Sequence, residues 1–142
     1  MDERAQRMAL PDAWSRLADA RRVVLGTIGP GGLPHLVPCC TALDATTLYF
    51  AVDSKPKRST ALQRLANLEA DPRAVVLADG WDEDWTKLWW VRASGRARSV
   101  DGAERDGAVE LLLRRYPQYR THSLDGRVTA IDLDRWVSWG WH

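Results

Sequence analysis

From Arg22 to Leu43 two β-rich runs, Arg22 to Ile28 and Leu33 to Leu43, are separated only by Gly29, Pro30, Gly31 and Gly32. So short a break cannot hold the crossover that a parallel pair needs, so the second run must return antiparallel beside the first. Asp44 to Thr46 turns the chain again into Thr47 to Val52, where Leu48, Phe50 and Val52 alternate with less apolar neighbours. A three-stranded meander is therefore expected early in the chain. Further strands are predicted over Arg73 to Gly80, over Lys87 to Val100 after the acidic loop of Asp82, Glu83 and Asp84, and over Arg127 to Trp141 with a break near Asp134.

Three helices are expected between these strands. Pro11 to Ala20 starts with a proline and has Trp14 and Leu17 three apart. A second helix is capped by Ser59 or Thr60, carries Leu62, Leu65 and Leu68 at every third position, and ends at Asp71 and Pro72. The third follows a capping-box pattern of Asp101 and Glu104, lines Ala108, Val109, Leu112, Leu113 and Tyr116 on one face, and closes at Arg114, Arg115 and Pro117. Short strands joined by tight turns, with helices at the start, middle and end, predict a mainly β, closed or partly closed antiparallel barrel and disfavour a parallel dinucleotide-binding sheet. A chain of 142 residues suits one domain spanning 1–142.

Several function classes are disfavoured by composition. A formal net charge of +1 provides no basic field for nucleic acid. No apolar run reaches the roughly 18 residues that span a bilayer, and the region of Asp2, Glu3, Arg4 and Arg7 lacks a signal-peptide core, so no membrane partner and a cytoplasmic location are expected. Cys39 and Cys40 are adjacent on a strand and should point to opposite faces, which disfavours a disulfide between them. His35, His122 and His142 show no metal-site spacing, and no metal is expected. Gly29, Gly31 and Gly32 fit neither a dinucleotide fingerprint nor a phosphate-binding loop, and no serine sits in a nucleophile elbow.

One segment points to a ligand. Two of the three lysines, Lys55 and Lys57, stand with Arg58 in the run from Asp53 to Ser59, immediately before a helix. Cations at a helix N-terminus oppose its dipole, so an anion is expected there. A phosphate would be met by the free N–H groups of the first turn, the Ser59 or Thr60 hydroxyl, Lys55, Lys57 and Arg58; a solvated basic loop is the other reading. The eight tryptophans give a second clue: Trp81 and Trp85 flank the acidic loop, Trp89 and Trp90 share a strand, and Trp136, Trp139 and Trp141 crowd the C-terminus. Core packing accounts for part of them, and the surplus suggests an aromatic surface for a partner or planar ligand.

The order of His35 to Pro38 on a strand, Asp53 with Lys55 and Lys57, Leu65 to Asn67 on a helix, Asp71 with Pro72, and Trp85 with Trp89, Trp90, Val91 and Arg92 resembles the pyridoxamine 5′-phosphate oxidase-like split barrels over nearly the whole chain. Within them it is similar to a deazaflavin-dependent, coenzyme F420-using oxidoreductase subgroup. The resemblance implies a six-stranded Greek-key split barrel of the FMN-binding type, homodimeric, with two cofactor sites at the subunit interface. It places the cofactor phosphate against Lys55, Lys57, Arg58 and Ser59 and the ring along Val37, Pro38 and Cys39. Trp89 or Trp90, and Trp139 or Trp141, are the candidates for covering the ring from the partner subunit. Hydride would pass between the reduced cofactor and an unsaturated or otherwise electron-poor small molecule; the resemblance nominates no catalytic residue. An FMN-dependent oxidase or reductase, a non-enzymatic cofactor-binding or storage protein, and a generic dimeric binding module are the alternatives. A cation near the groove such as Arg64 would favour coenzyme F420 with its acidic tail.

Overall fold

A computed structural model describes residues 5–52, 60–120, 124 and 126–141, with 5, 6, 60–62 and 141 described by backbone alone. The elements run β1 (Ala5–Gln6), α1 (Leu10–Asp19), β2 (Val23–Ile28), β3 (Pro34–Cys39), β4 (Ala42–Asp44), β5 (Thr47–Ala51), α2 (Thr60–Ala70), β6 (Arg73–Gly80), β7 (Trp89–Ser99), α3 (Gly102–Arg115) and β8 (Val128–Trp141). All strand pairs are antiparallel, in the order β3-β2-β6-β7-β8-β5-β4, with β1 paired to β8.

Six strands were expected, and the sheet has eight. The short β1 is one addition. The other arises because the run predicted from Leu33 to Leu43 breaks at Cys40 and Thr41: Pro38 has no N–H to donate, and the Thr41 N–H is taken by the Tyr116 hydroxyl at 3.2 Å rather than by a strand. That break shapes the whole sheet. β3 and β4 occupy opposite ends of the strand order, yet only Cys40 and Thr41 lie between them. Three Cα steps from Cys39 to Ala42 span at most about 11 Å. The sheet must therefore curl until its two ends nearly meet, as a barrel split along one seam.

The inner face holds the main core, built from Leu17, Val23, Leu25, Leu48, Phe50, Val76, Val91 and Ile131, each at most 1% exposed. α1 closes one end with Ala13 and Leu17, while the Trp14 indole N–H donates to the Ala45 carbonyl at 2.5 Å. α3 covers a second cluster with Ala108 and Leu112, against Tyr49, Val100, Val128 and Ala130. The irregularity anticipated near Asp134 is a bulge: Ser94 faces Arg135 and Gly95 faces Leu133, so Asp134 is the extra residue.

The capping box predicted for α3 does not form. Asp101 makes no side-chain cap bond. Glu104 instead accepts from both terminal nitrogens of Arg98, at 2.7 and 2.8 Å, and from the Tyr49 hydroxyl at 2.8 Å. The charged fork of Arg98 offers two aligned donors, which outcompete a single backbone N–H. The same guanidinium donates to Asp132 at 2.7 Å, tying α3 to β8. Arg98 first, then the Tyr49 hydroxyl, holds the Glu104 carboxyl below its usual range, and Arg98 does the same for Asp132. Carboxylates whose folded pKa is depressed stabilise above their unfolded value and lose that contribution as the pH falls through the folded one. Stability should thus decline as the pH drops below about 4. Arg98→Met should flatten that acid limb in urea titrations, although water screens the pair because Arg98 is 41% and Asp132 53% exposed.

Candidate functional site

The β2–β3 hairpin forms one end of the sheet, with β3 as the edge strand. Pro34 and Pro38 are tolerated there because an edge strand need not donate on its outer side, and they blunt that edge against further pairing. Side chains alternate along β3: His35, Val37 and Cys39 turn inward, whereas Pro34, Leu36 and Pro38 are exposed on the outer face. Leu36 is 67% exposed. It stands beside Gly26 of β2, where an added Cβ would come within 2.7 Å of Val75 and 3.2 Å of Leu36. Gly26, Ile28, Pro34, Leu36 and Val75 thereby line a shallow apolar groove of about 310 Å³.

α2 lies against the inner side of this hairpin, held by a buried polar relay. The Asn67 side-chain amide donates to the Thr27 hydroxyl at 3.0 Å, and the Gln63 amide donates to the Asn67 oxygen at 2.7 Å. Asn67 and Thr27 are 3% and 4% exposed, so each needs its partner. Asn67→Ala should cost about 2 kcal/mol in urea denaturation, because it strands the Thr27 hydroxyl, and pairing Asn67→Leu with Thr27→Val should recover much of that loss.

At the far end of β3, Cys39 is 7% exposed, and burial pushes its thiol up to about 12, with Arg64 pulling it part of the way back. It is therefore a neutral packing thiol at physiological pH, not a nucleophile. Both cysteines are free. The Arg64 guanidinium lies 5.6 Å from the centre of the Phe50 ring. Its Nε, like His35 Nδ1, is buried without a hydrogen-bond partner among the described residues. Two buried polar atoms on the inner side of this hairpin thus lack partners among the described residues, an arrangement that calls for an explanation in a folded protein.

Of the residues anticipated as a site, Val37, Pro38 and Cys39 occupy one stretch of this edge strand, half-buried, exposed and buried in turn. Lys55, Lys57, Arg58 and Ser59 lie outside the described residues. The segment leaves from Val52, whose N–H donates to the Arg127 carbonyl at 3.2 Å, and re-enters at Thr60 of α2. Trp89 and Trp90 are on β7, three strand spacings from β3, or about 14 Å across the sheet. One chain does not bring them to Val37. The Trp89 indole covers Gly80, where an added Cβ would sit 2.1 Å from its ring nitrogen. Trp90 pairs with Trp139 across β7 and β8. Trp141 pairs through its backbone with Ala5, and its side chain lies outside the described residues. The relay of Gln63, Asn67 and Thr27 was not anticipated; its signal is the amide pair at i and i+4 beside the leucine stripe of α2.

Among the described residues no group of three His, Cys, Asp or Glu side chains could hold a metal ion. No helix among them is long and apolar enough to cross a membrane.

A family profile described as pyridoxamine 5′-phosphate oxidase matches residues 10–140. No curated protein matches the sequence. Several solved structures are similar. A conserved hypothetical protein from Mycobacterium tuberculosis is 24% identical with a TM-score of 0.78, covering 99% of this chain and 89% of that one. A heme binding protein from Mycobacterium smegmatis is 19% identical, TM-score 0.74, covering 88% of this chain and 51% of the other. A FAD-binding protein from Mesorhizobium loti is 18% identical, TM-score 0.72, with 95% and 96% covered. At these identities the likeness establishes the fold.

Proposed function

We propose, from the premise that this chain belongs to the pyridoxamine 5′-phosphate oxidase family, that it is an oxidoreductase using a phosphate-bearing flavin-type cofactor, coenzyme F420, at a site completed by a second copy. The observation that carries this reading is the outer row of β3. Pro34, Leu36 and Pro38 present an exposed, largely apolar strip that none of the described residues buries, on the face of the strand opposite Val37 and Cys39. A planar ring against such a strip needs a second wall. Trp89 and Trp90 are three strands away, so we assign that wall to another copy. Both rings already carry a guanidinium, Arg92 at 5.4 Å from the Trp90 centre and Arg16 at 4.8 Å from that of Trp89, and Trp90 is the first candidate because the Trp89 indole is also packed over Gly80. Trp89 and Trp141 are the further candidates.

The bound cofactor supplies hydride chemistry; the chain's task is to grip, orient and exclude water. Lys55, Lys57 and Arg58 neutralise the phosphate, with Ser59 as a hydroxyl donor. Pro38 backs the ring with Pro34 and Leu36, while Val37 and Cys39 support the strand from its inner face, Cys39 kept protonated by burial and not reacting. Arg64, whose Nε has no partner among the described residues, is the further cation that favours coenzyme F420 over FMN, because the deazaflavin brings additional carboxylates. The FMN reading draws its support from the FAD-binding neighbour.

The test is a titration of the purified protein with coenzyme F420 and with FMN, followed by ring fluorescence. Tighter binding of coenzyme F420, at one ligand per chain, is expected; tighter binding of FMN would overturn the choice of deazaflavin. Reoxidation of the reduced cofactor by a panel of enones, quinones and nitroaromatics then separates an enzyme from a storage protein, which would show no turnover.

A further inference from the structure

A second cavity, away from the β3 groove, opens where the end of α1 meets the first residues of β2, the last of β6 and the first of β7. It measures about 320 Å³ and is lined by Val23, Val24, Leu77 and Trp89, with the charged residues Arg21, Arg22 and Asp79. That volume is at the lower end of the range for small-molecule sites, and an apolar wall with a few charged groups is their usual composition.

Two features set the charge of this cleft. The C-terminal end of α1 would ordinarily repel an anion through its exposed carbonyls. Here two of those carbonyls are engaged, the Asp19 carbonyl by the Arg115 guanidinium and the Leu17 carbonyl by the Ala20 N–H at 3.3 Å, and the Arg21 carbonyl just beyond the helix accepts from the Tyr116 hydroxyl at 2.9 Å. The guanidiniums of Arg21 and Arg22 are exposed and take part in no ion pair among the described residues. The lining therefore carries two uncommitted cations against the single carboxylate of Asp79. Arg16 adds a third cation over Trp89 and holds that indole in place.

We propose that this cleft binds a flat aromatic carboxylate, its ring against Trp89 and Leu77 and its carboxylate turned to Arg21 and Arg22. Asp79, also in the lining, disfavours any pose that turns the carboxylate toward it. The proposal goes beyond the cofactor reading and does not depend on it, since every wall belongs to one chain and none to the segment from Asp53 to Ser59.

The test uses the full chain without cofactor, titrated with 1-naphthoate and with its neutral counterpart 1-naphthamide, read by equilibrium dialysis. Saturable binding of one naphthoate per chain is expected, with the amide about tenfold weaker or more, as befits the loss of a charge-assisted contact. The double variant Arg21→Gln, Arg22→Gln should bring naphthoate down to the level of the amide and leave the amide unchanged. Leu77→Trp, at a position 37% exposed and so outside the core, should fill the cleft and abolish both. Equal affinities for the two probes, no saturable binding of either, or binding that survives Leu77→Trp would each overturn the proposal. So would loss of naphthoate binding in a Lys55→Ala, Lys57→Ala variant, which would move the ligand to the other site; failure of the cofactor reading appears separately, in the flavin titrations.

Discussion

Gly95→Ala is expected to destabilise the protein by about 3 kcal/mol or more, lowering the melting temperature by about 10 °C. The reason lies in the bulge between β7 and β8. A Cβ at Gly95 would fall 1.8 Å from the Asp132 carbonyl oxygen and 2.7 Å from its carbon, both backbone atoms of a central strand. Unlike a side chain, that backbone cannot swing aside. It is held by β5 on one side and β7 on the other, with Thr47 facing Asp132. Relief would require reopening the register over which the two longest strands pair. Gly107→Ala on α3 is the matched control, because nothing lies within 4 Å of its added Cβ. There the same change should stabilise by about 0.5 to 1 kcal/mol. Thermal melts of the two variants side by side would check both signs; a Gly95→Ala protein as stable as the parent would show that the bulge can relax.

The second large effect is expected in ligand binding. Each charge-assisted contact to a phosphate contributes about 1.5 to 3 kcal/mol, so the double variant Lys55→Ala, Lys57→Ala should weaken cofactor binding by about 3 kcal/mol or more, at least a hundredfold in Kd. The remaining lysine, Lys87, lies on the far hairpin between β6 and β7, and Lys87→Ala should leave the affinity unchanged. Unchanged affinity in the double variant would mean that the basic segment is a solvated loop and that the phosphate, if bound at all, is held elsewhere. Melting the variants without ligand separates loss of grip from loss of fold.

Much of the architecture was legible along the chain because strand and turn signals are local. The Gly29 to Gly32 turn forces its hairpin, and the break expected at Asp134 is the bulge that Gly95 accommodates. What failed was competition between local and distant partners. Glu104 stands three residues after Asp101 as a capping box requires, but Arg98 from the preceding strand reaches it first. The interruption at Cys40 depends on a tyrosine 75 positions away, which no window of neighbouring residues contains.

The site divides in the same way. Lysines gathered before a helix are visible in sequence because their spacing carries the argument. Arg64 is visible there only as a further cation, and its neighbours, like those of Asn67, come from distant parts of the chain: Phe50 and Cys39 for the one, Thr27 for the other. The tryptophans are the extreme case. Eight of them signalled a surplus of aromatic surface, but only the strand order shows that Trp90 and the β3 strip cannot meet within one chain.

The two-residue passage between β3 and β4 acts like the clasp of a bracelet. The turns within the β2–β3 and β4–β5 hairpins join strands already neighbours in the sheet, whereas Cys40 and Thr41 join its two ends and so set the circumference. Residues slipped in at this point would let the two ends of the sheet drift apart, carrying the edge strand with Val37 and Pro38 away from α2. The dimensions of the groove proposed to receive the ring are thus governed by a joint whose residues need never touch a ligand, and length changes there should be far more damaging than the same insertion at the exposed tip formed by Pro30 to Gly32.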